Sequence, residues 1–192
     1  SFIEELIHAN HPVSAVVKSD FAMLNSRLAA HYGIPGVQGV QLRKVSLPRD
    51  SVRGAIRSQA SVLKVTANGT NTSPVVRGVW VMERIMGVTP PPPPPGIPGV
   101  EPDIRGASTL RELLDRHRDS PNCQSCHRKI DPPGFALEQF NPIGGMRDRF
   151  RSIGNGDRVD TTIRGRAVRY RLGPNVDASG RLTDGSSFAN FR

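Results

Sequence analysis

The sequence has few cysteines, few aromatic residues and no long apolar run. Its two cysteines cannot supply a structural zinc site alone, and no histidine pair with the H-x₃₋₅-H spacing follows them to complete one. No stretch approaches the roughly 18 apolar residues of a transmembrane helix, and no cleavable signal with a charged start and an apolar centre is visible. An aromatic content of 5% and a hydrophobic content of 36% still allow one respectable core or two small ones.

Positive charge is in excess but is not concentrated. The chain has 26 Lys and Arg against 17 Asp and Glu, a formal charge of +9, spread from Arg43 to Arg181. Without a dense basic run or interleaved aromatics, this distribution argues against nucleic-acid binding. It suits an acidic electron-transfer partner, an anionic membrane surface or, more simply, a solvated basic face. Paired carboxylates for acid–base catalysis, a phosphate-binding loop and a nucleophile elbow are not evident, so no catalytic residue is assigned.

The segment Cys123–His127 reads C-x-x-C-H, which is typical of the attachment site of a c-type haem. Two thiols three residues apart lie on one side of a helical turn, where each can add to a vinyl group of the porphyrin. The adjoining His127 would be the proximal iron ligand. The alternatives are half of a zinc site, a structural disulfide or a dithiol redox pair, although a redox pair would open a helix after a strand. We therefore predict one haem c, held by Cys123, Cys126 and His127.

The distal side of the iron decides between an electron carrier and a catalyst. A distal thioether would raise the reduction potential relative to a second imidazole, whereas an open site would admit peroxide or oxygen. His31 lies on the apolar face of its helix, three residues after Leu28, and Met146 follows a Gly-Gly turn that could reach over the ring. His117 precedes the motif by a few residues. These three and an open site are all retained as possibilities.

The first stretch contains two predicted helices with readable boundaries. Asp20 can cap one whose Phe21, Leu24 and Leu28 share a face, with Gly33 suited to the position after its end. Ser73-Pro74 opens the second, which Gly87 ends. The apolar stripe predicted for this second helix consists of Val75, Val79, Met82 and Met86. The segments left undecided between strand and helical turn are Val45–Leu47 and Ser61–Thr66.

A proline run then breaks the chain. Pro90–Pro95 and the following Gly96–Gly99 cannot form a helix and prefer extended polyproline II. Such a run can be a ligand for a proline-recognition module, but it is more typical of a stiff strap between two packed parts.

The third stretch surrounds the cysteine motif. Thr109–Glu112 forms a capping box that begins a helix. After the motif, Asp131–Gly134 predicts a proline turn, and a short helix follows around Phe135–Phe140. Apolar and basic residues alternate from Val159 to Leu172, which predicts a hairpin or small sheet.

Together these signals predict a mainly α fold with a small β element, in which a cytochrome c-like haem-binding unit is joined by a polyproline strap to a preceding helical segment. The predicted divisions are a helical N-terminal segment at 1–88, a Pro-rich linker at 89–106, the haem-binding unit at 107–155 and a small β or irregular extension at 156–192.

Several separated motifs resemble the large planctomycete-type multidomain cytochrome c proteins, in which a helical domain of unknown function precedes a CxxCH haem-binding domain. The segments that carry the resemblance are Asn25–Gly36, Gln59–Leu63, Asn68–Trp80, the proline run and Cys123–Phe140. The resemblance covers nearly the whole chain and implies a haem-bearing domain within a larger secreted polypeptide.

These observations predict a c-type cytochrome that transfers electrons, with other redox proteins or cytochromes as partners. Since bacteria attach haem c outside the cytoplasm, we expect a periplasmic or extracellular protein. The abrupt starts and stops at Ser1–Leu6 and Asp184–Phe188 predict a fragment of a longer chain. The alternatives are a haem peroxidase or oxidase with an open distal site, and a structural haem module within a multi-subunit complex.

Overall fold

Helix and strand both contribute substantially to the fold. A computed structural model describes residues 1–93, 95–96, 109–117, 121–163 and 165–191. These residues form six α-helices and three small antiparallel sheets, with about 35% of residues in helix and 22% in strand. The prediction of a mainly α fold with a small β element is therefore corrected to a mixed fold, because the β structure is more extensive than one hairpin.

The helices are α1 (Phe2–His8), α2 (Ser26–Tyr32), α3 (Ala60–Val65), α4 (Pro74–Arg84), α5 (Leu110–His117) and α6 (Pro121–Leu137). The strands are β1 (Phe21–Leu24), β2 (Arg43–Ser46), β3 (Arg149–Ser152), β4 (Asp157–Ile163), β5 (Arg166–Asn175), β6 (Gly180–Arg181) and β7 (Ser187–Phe188). The sheets pair β1 with β2, order β3-β5-β4, and pair β6 with β7. The predicted hairpin between Val159 and Leu172 is confirmed by β4 and β5, which pair in antiparallel register.

The first predicted helix is shorter than expected because its start is a strand. Phe21–Leu24 pairs with β2, so Asp20 is not a helix cap. Helix α2 begins after Asn25, whose Oδ1 accepts a hydrogen bond from the Leu28 amide at 2.9 Å. Its end is as predicted, with Gly33 in the left-handed conformation at φ 71°. The undecided segments resolve as strand β2 and helix α3.

Two helix starts agree with their sequence signals. Ser73 caps α4, with its hydroxyl accepting from the Val76 amide at 3.3 Å. At α5 the capping box is complete: the Glu112 amide donates to Thr109 Oγ1 at 3.2 Å, and the Thr109 amide donates to Glu112 Oε2 at 2.6 Å. These local signals were sufficient because capping involves only residues within one turn.

Helix α6 runs without interruption through the predicted proline turn. Pro132 and Pro133 each remove one backbone donor, yet both lie inside the helix. The turn prediction at Asp131–Gly134 is therefore wrong, as is the separate short helix at Phe135. The physical reason is tertiary: the residues on either side of the prolines, Ile130 and Gly134, are buried against α4.

Helices α4 and α6 cross with their backbones in contact. A Cβ on Gly78 would lie 1.9 Å from the Ile130 carbonyl oxygen, and one on Gly134 would lie 1.8 Å from the Pro74 carbonyl oxygen. Only glycine allows this approach at both positions. The later residue of α4, Gly78, contacts the earlier residue of α6, Ile130, whereas Pro74 contacts Gly134. The two helices are therefore antiparallel. The C-terminal end of α4 therefore lies on the side of α6 that begins with the cysteine motif.

Small apolar clusters complete the packing around this helix pair. Phe135 contacts α5 in one cluster, and the chain just after α6 enters another in which Phe140 and Phe191 meet edge to face at 4.8 Å between ring centroids. The buried members of these two clusters are Leu110, Leu114 and Phe135 in the first, and Leu63, Leu137, Phe140 and Phe191 in the second.

The proline run is described only at residues 89–93 and 95–96, which contain neither helix nor strand. The rest of the predicted linker lies outside the described residues. The four-part division of the chain stays a prediction. Among the helices that the structure describes, none has the length and apolar character required to cross a bilayer.

Candidate haem attachment site

The cysteine motif occupies the first half of a stripe along α6. Five residues of α6 are spaced at i, i+3, i+4, i+7 and i+11, positions that lie on one face of an α-helix. These residues are Cys123, Cys126, His127, Ile130 and Gly134. Ile130 and Gly134 are buried, whereas the two cysteines and the histidine are half-buried. The stripe is thus covered by α4 at its C-terminal half, and its motif half keeps accessible surface where a porphyrin face could lie.

His127 is oriented by a buried carboxylate one turn further along the helix. Its Nδ1–H donates to Asp131 Oδ1 at 2.9 Å, and Asp131 has no exposed surface. Because this bond uses Nδ1, the other ring nitrogen, Nε2, is the one left to coordinate iron. The sequence interpretation missed Asp131, which it assigned to a turn; the signal was the i, i+4 spacing of His127 and Asp131 within one helix.

The end of α6 is fixed by a buried ion pair with α4. The Arg77 side chain is fully buried, and its Nη1 donates to the carbonyl oxygens of Leu137 at 2.6 Å and Phe140 at 2.8 Å. The same nitrogen lies 3.1 Å from Glu138 Oε1, whose side chain is 2% exposed. A cation at a helix C-terminus satisfies carbonyls that have no partner within the helix. Arg77 therefore holds α6 against α4.

A second arginine completes this network from the segment after α6. Arg147 Nη2 donates to Glu138 Oε2 at 2.9 Å and to Thr72 Oγ1 at 2.7 Å, and Thr72 Oγ1 donates to Glu138 Oε2 at 2.5 Å. Burial lowers the pKa of Arg147 to about 10, which leaves it charged at neutral pH. Two arginines thus share one buried carboxylate, and the network joins α4, α6 and the chain leading to β3.

Residues 53–150 match a family model described as PSCyt3, a protein of unknown function (DUF1588). The match spans just over half of the chain. The chain belongs to the PSCyt3 family. This is a planctomycete-type cytochrome-associated domain family. The planctomycete-type resemblance noted from the sequence is therefore confirmed at the level of the domain family. No curated protein and no solved structure matches the chain.

The PSCyt3 match contains the complete geometry described above. Helices α3, α4, α5 and α6 all fall within residues 53–150, together with the Arg77–Glu138–Arg147 network. Strands β4, β5, β6 and β7 follow it. The PSCyt3 region of this chain is therefore built around the antiparallel pair α4 and α6, with the cysteine motif on α6.

The structure gives the surroundings of two of the three predicted distal ligands of this PSCyt3 chain. His31 Nε2 donates to the Ile143 carbonyl at 2.8 Å, which ties α2 to the turn after α6. Met146 is 43% exposed and lines a cleft whose described walls come from other segments, including Asn141, Arg147 and Tyr170, and not from the cysteine motif. The side chain of His117 lies outside the described part of the chain. The assignment of the distal ligand stays a prediction.

The side chains of the motif are consistent with covalent haem. Cys123 and Cys126 are free, half-buried thiols, as addition to vinyl groups requires. Within the residues that the structure describes, no group of three or more His, Cys, Asp and Glu side chains is arranged to hold a metal ion. The cysteine spacing, the thiol state and the oriented imidazole together match the requirements of haem c.

Proposed function

We propose that this PSCyt3 protein is a c-type cytochrome that carries one haem on Cys123 and Cys126, with His127 as the proximal iron ligand, and that it transfers electrons within a larger secreted cytochrome. The observation that carries the proposal is the shared stripe of two free thiols and an imidazole whose Nδ1 is already bonded. When bound, the haem supplies a one-electron Fe(III)/Fe(II) couple.

The protein's own residues supply the attachment and the ligand. Each thiol adds its sulfur to one carbon of a vinyl group and its hydrogen to the other, so two thioethers form without an external oxidant or reductant. His127 adjoins Cys126 on the same helical turn and would supply the proximal ligand to a haem attached there. Asp131 holds the ring tautomer through its bond to Nδ1.

The proposal includes location and partners. Because bacteria form these thioethers outside the cytoplasm, we place the protein in the periplasm or the extracellular space. Its partners would be other redox proteins or cytochromes, docked through a surface with a net charge of +9 over the whole chain.

A haem peroxidase or oxidase is the second candidate function. The contact that favours it is the bond between His127 and the buried Asp131, because a carboxylate partner increases electron donation by the proximal imidazole. The hydrogen bond between His31 Nε2 and the Ile143 carbonyl points the same way, since iron coordination through that nitrogen would require this bond to break.

Covalent attachment is tested by expressing the chain in a bacterial periplasm with a cytochrome c maturation system. We expect the intact mass to increase by one haem per chain and the pyridine haemochrome spectrum to be that of a thioether-linked haem. The double variant Cys123→Ser/Cys126→Ser should lose all covalent haem, because neither hydroxyl adds to a vinyl group under these conditions.

The matched control for this experiment is Gln124→Ala, which alters an exposed residue between the two cysteines. It should retain full attachment. A colourless wild-type chain, or one whose two thiols are free or hold zinc, would show that the proposal is wrong.

The two candidate functions are distinguished by the ferric spectrum of the holoprotein. An electron carrier with two protein ligands is expected to be low-spin, with a ferric form insensitive to cyanide and a ferrous form insensitive to carbon monoxide. An open distal site gives a high-spin iron that binds cyanide when ferric and carbon monoxide when ferrous. His31→Ala and Met146→Ala identify the distal ligand, because only removal of the true ligand converts a low-spin spectrum to a high-spin one. An unchanged low-spin spectrum in both variants would exclude both residues.

A further inference from the structure

The bond between Asp131 and His127 lies in a largely buried part of the molecule. Asp131 has no exposed surface, and the His127 side chain is 16% exposed. The two residues are one turn apart in α6, and Nδ1 and Oδ1 are 2.9 Å apart. This distance is that of a well-formed N–H···O hydrogen bond between the imidazole and the carboxylate.

The surrounding packing prevents the carboxylate from turning to solvent. The residue before Asp131, Ile130, has its carbonyl oxygen against Gly78 of α4, and Gly134 on the next turn has its backbone against Pro74. The end of α6 is fixed again by Arg77. Asp131 is therefore placed beneath the imidazole by the same helix crossing that buries it.

A buried negative charge next to the proximal ligand acts on the iron in one direction. The carboxylate draws the Nδ1 proton toward itself, which makes Nε2 a stronger electron donor. Ferric iron carries one more positive charge than ferrous iron, so both the stronger donor and the nearby charge stabilise the ferric state. Removal of water from the site strengthens this effect, because the charge is poorly screened.

We infer that Asp131 is a positioning residue that fixes the orientation of His127 and lowers the reduction potential of the iron. The inference rests on the proposed function. It adds to it a determinant that the C-x-x-C-H motif does not contain. The consequence is that this protein donates electrons at a lower potential than the same site would with a neutral hydrogen-bond acceptor under the imidazole.

The test is the reduction potential of haem-loaded Asp131→Asn, measured by spectroelectrochemistry beside the wild type. Asparagine keeps the size and the acceptor oxygen but removes the charge. We expect the equilibrium between ferric and ferrous iron to shift about tenfold or more toward the ferrous form. This corresponds to an increase of about 59 mV or more in the reduction potential. A role for Asp131 confined to packing would not produce this shift in potential.

The matched control is Asp160→Asn, which removes the same charge from a side chain that is 62% exposed on β4. Its ratio of ferrous to ferric protein at a given applied potential should stay within about twofold of the wild-type ratio, because solvent screens exposed charges. The inference is overturned if Asp131→Asn carries haem and matches this control.

A third variant covers the possibility that Asp131→Asn does not accumulate. Asp131→Glu keeps the charge and should retain a low potential, so a tenfold shift toward the ferrous form in this variant would also overturn the inference. Failure of the proposed function looks different: the wild-type chain itself would then carry no covalent haem, and no potential could be recorded for any variant.

Discussion

Replacing Gly134 with alanine should destabilise the protein by about 3 kcal/mol or more, although alanine is intrinsically the better helix residue by about 1 kcal/mol. The sign is decided by the crossing of α4 and α6. A Cβ at position 134 would lie 1.8 Å from the Pro74 carbonyl oxygen, so one helix backbone must move away from the other. Gly78→Ala should cost a similar amount, because its Cβ would meet the Ile130 carbonyl oxygen at 1.9 Å.

The measurement is urea unfolding of the variants, followed by far-ultraviolet circular dichroism. Gly69→Ala is the matched control, because a Cβ there has no neighbour within 4 Å and only the positive φ of 93° opposes the substitution. We expect it to cost about 1 kcal/mol. A Gly134→Ala variant as stable as the wild type would show that α4 and α6 do not approach each other this closely.

The same crossing explains which parts of the fold the sequence could predict. The caps at Ser73 and Thr109 and the left-handed Gly33 were predictable, because each depends on contacts within one helical turn. The strand at Phe21–Leu24 was not, because its apolar spacing also fits a helix and its partner β2 is distant in sequence. At Asp131–Gly134 the local signals for a turn were real, but packing against α4 overrode them.

The buried face of α4 shows the limit of hydrophobic periodicity most clearly. The predicted stripe contained Met82, which is buried, but also Met86, which is 61% exposed. The residues that face the interior include Arg77 and Gly78, one charged and one without a side chain. A pattern of apolar residues cannot identify such a face, because this face of α4 contacts the backbone of α6 through Gly78 and hydrogen-bonds to carbonyl groups through Arg77.

The candidate site was predictable to a similar extent. The positions of Cys123, Cys126 and His127 on one helical face follow from the motif spacing alone, and the structure places them on one stripe. Asp131 could be connected with His127 only once α6 was known to continue through Pro132. The prediction of the motif was local, whereas the environment of the imidazole depends on tertiary structure.

Replacing Arg77 with methionine should cost about 3 kcal/mol of unfolding free energy, near the lower end of the range for breaking a buried ion pair. Methionine approximates the aliphatic volume but removes the donors to Leu137 and Phe140 and the charge opposite Glu138. The cost is not larger because Arg147 still donates to the other oxygen of the Glu138 carboxylate at 2.9 Å. Arg169→Met, at a side chain that is 81% exposed, should change stability by less than about 0.5 kcal/mol.

A double-mutant cycle with Glu138→Gln separates the ion pair from the carbonyl contacts. If the pair dominates, the double variant should be more stable than the sum of the single effects predicts, because the uncompensated buried carboxylate is gone. If the carbonyl contacts dominate, the two effects should add. Purely additive effects together with a cost below about 1 kcal/mol for Arg77→Met would contradict the role of Arg77 in fixing α6. Haem attachment should persist in Arg77→Met wherever the variant folds, because both thiols and His127 belong to the opposite end of the helix.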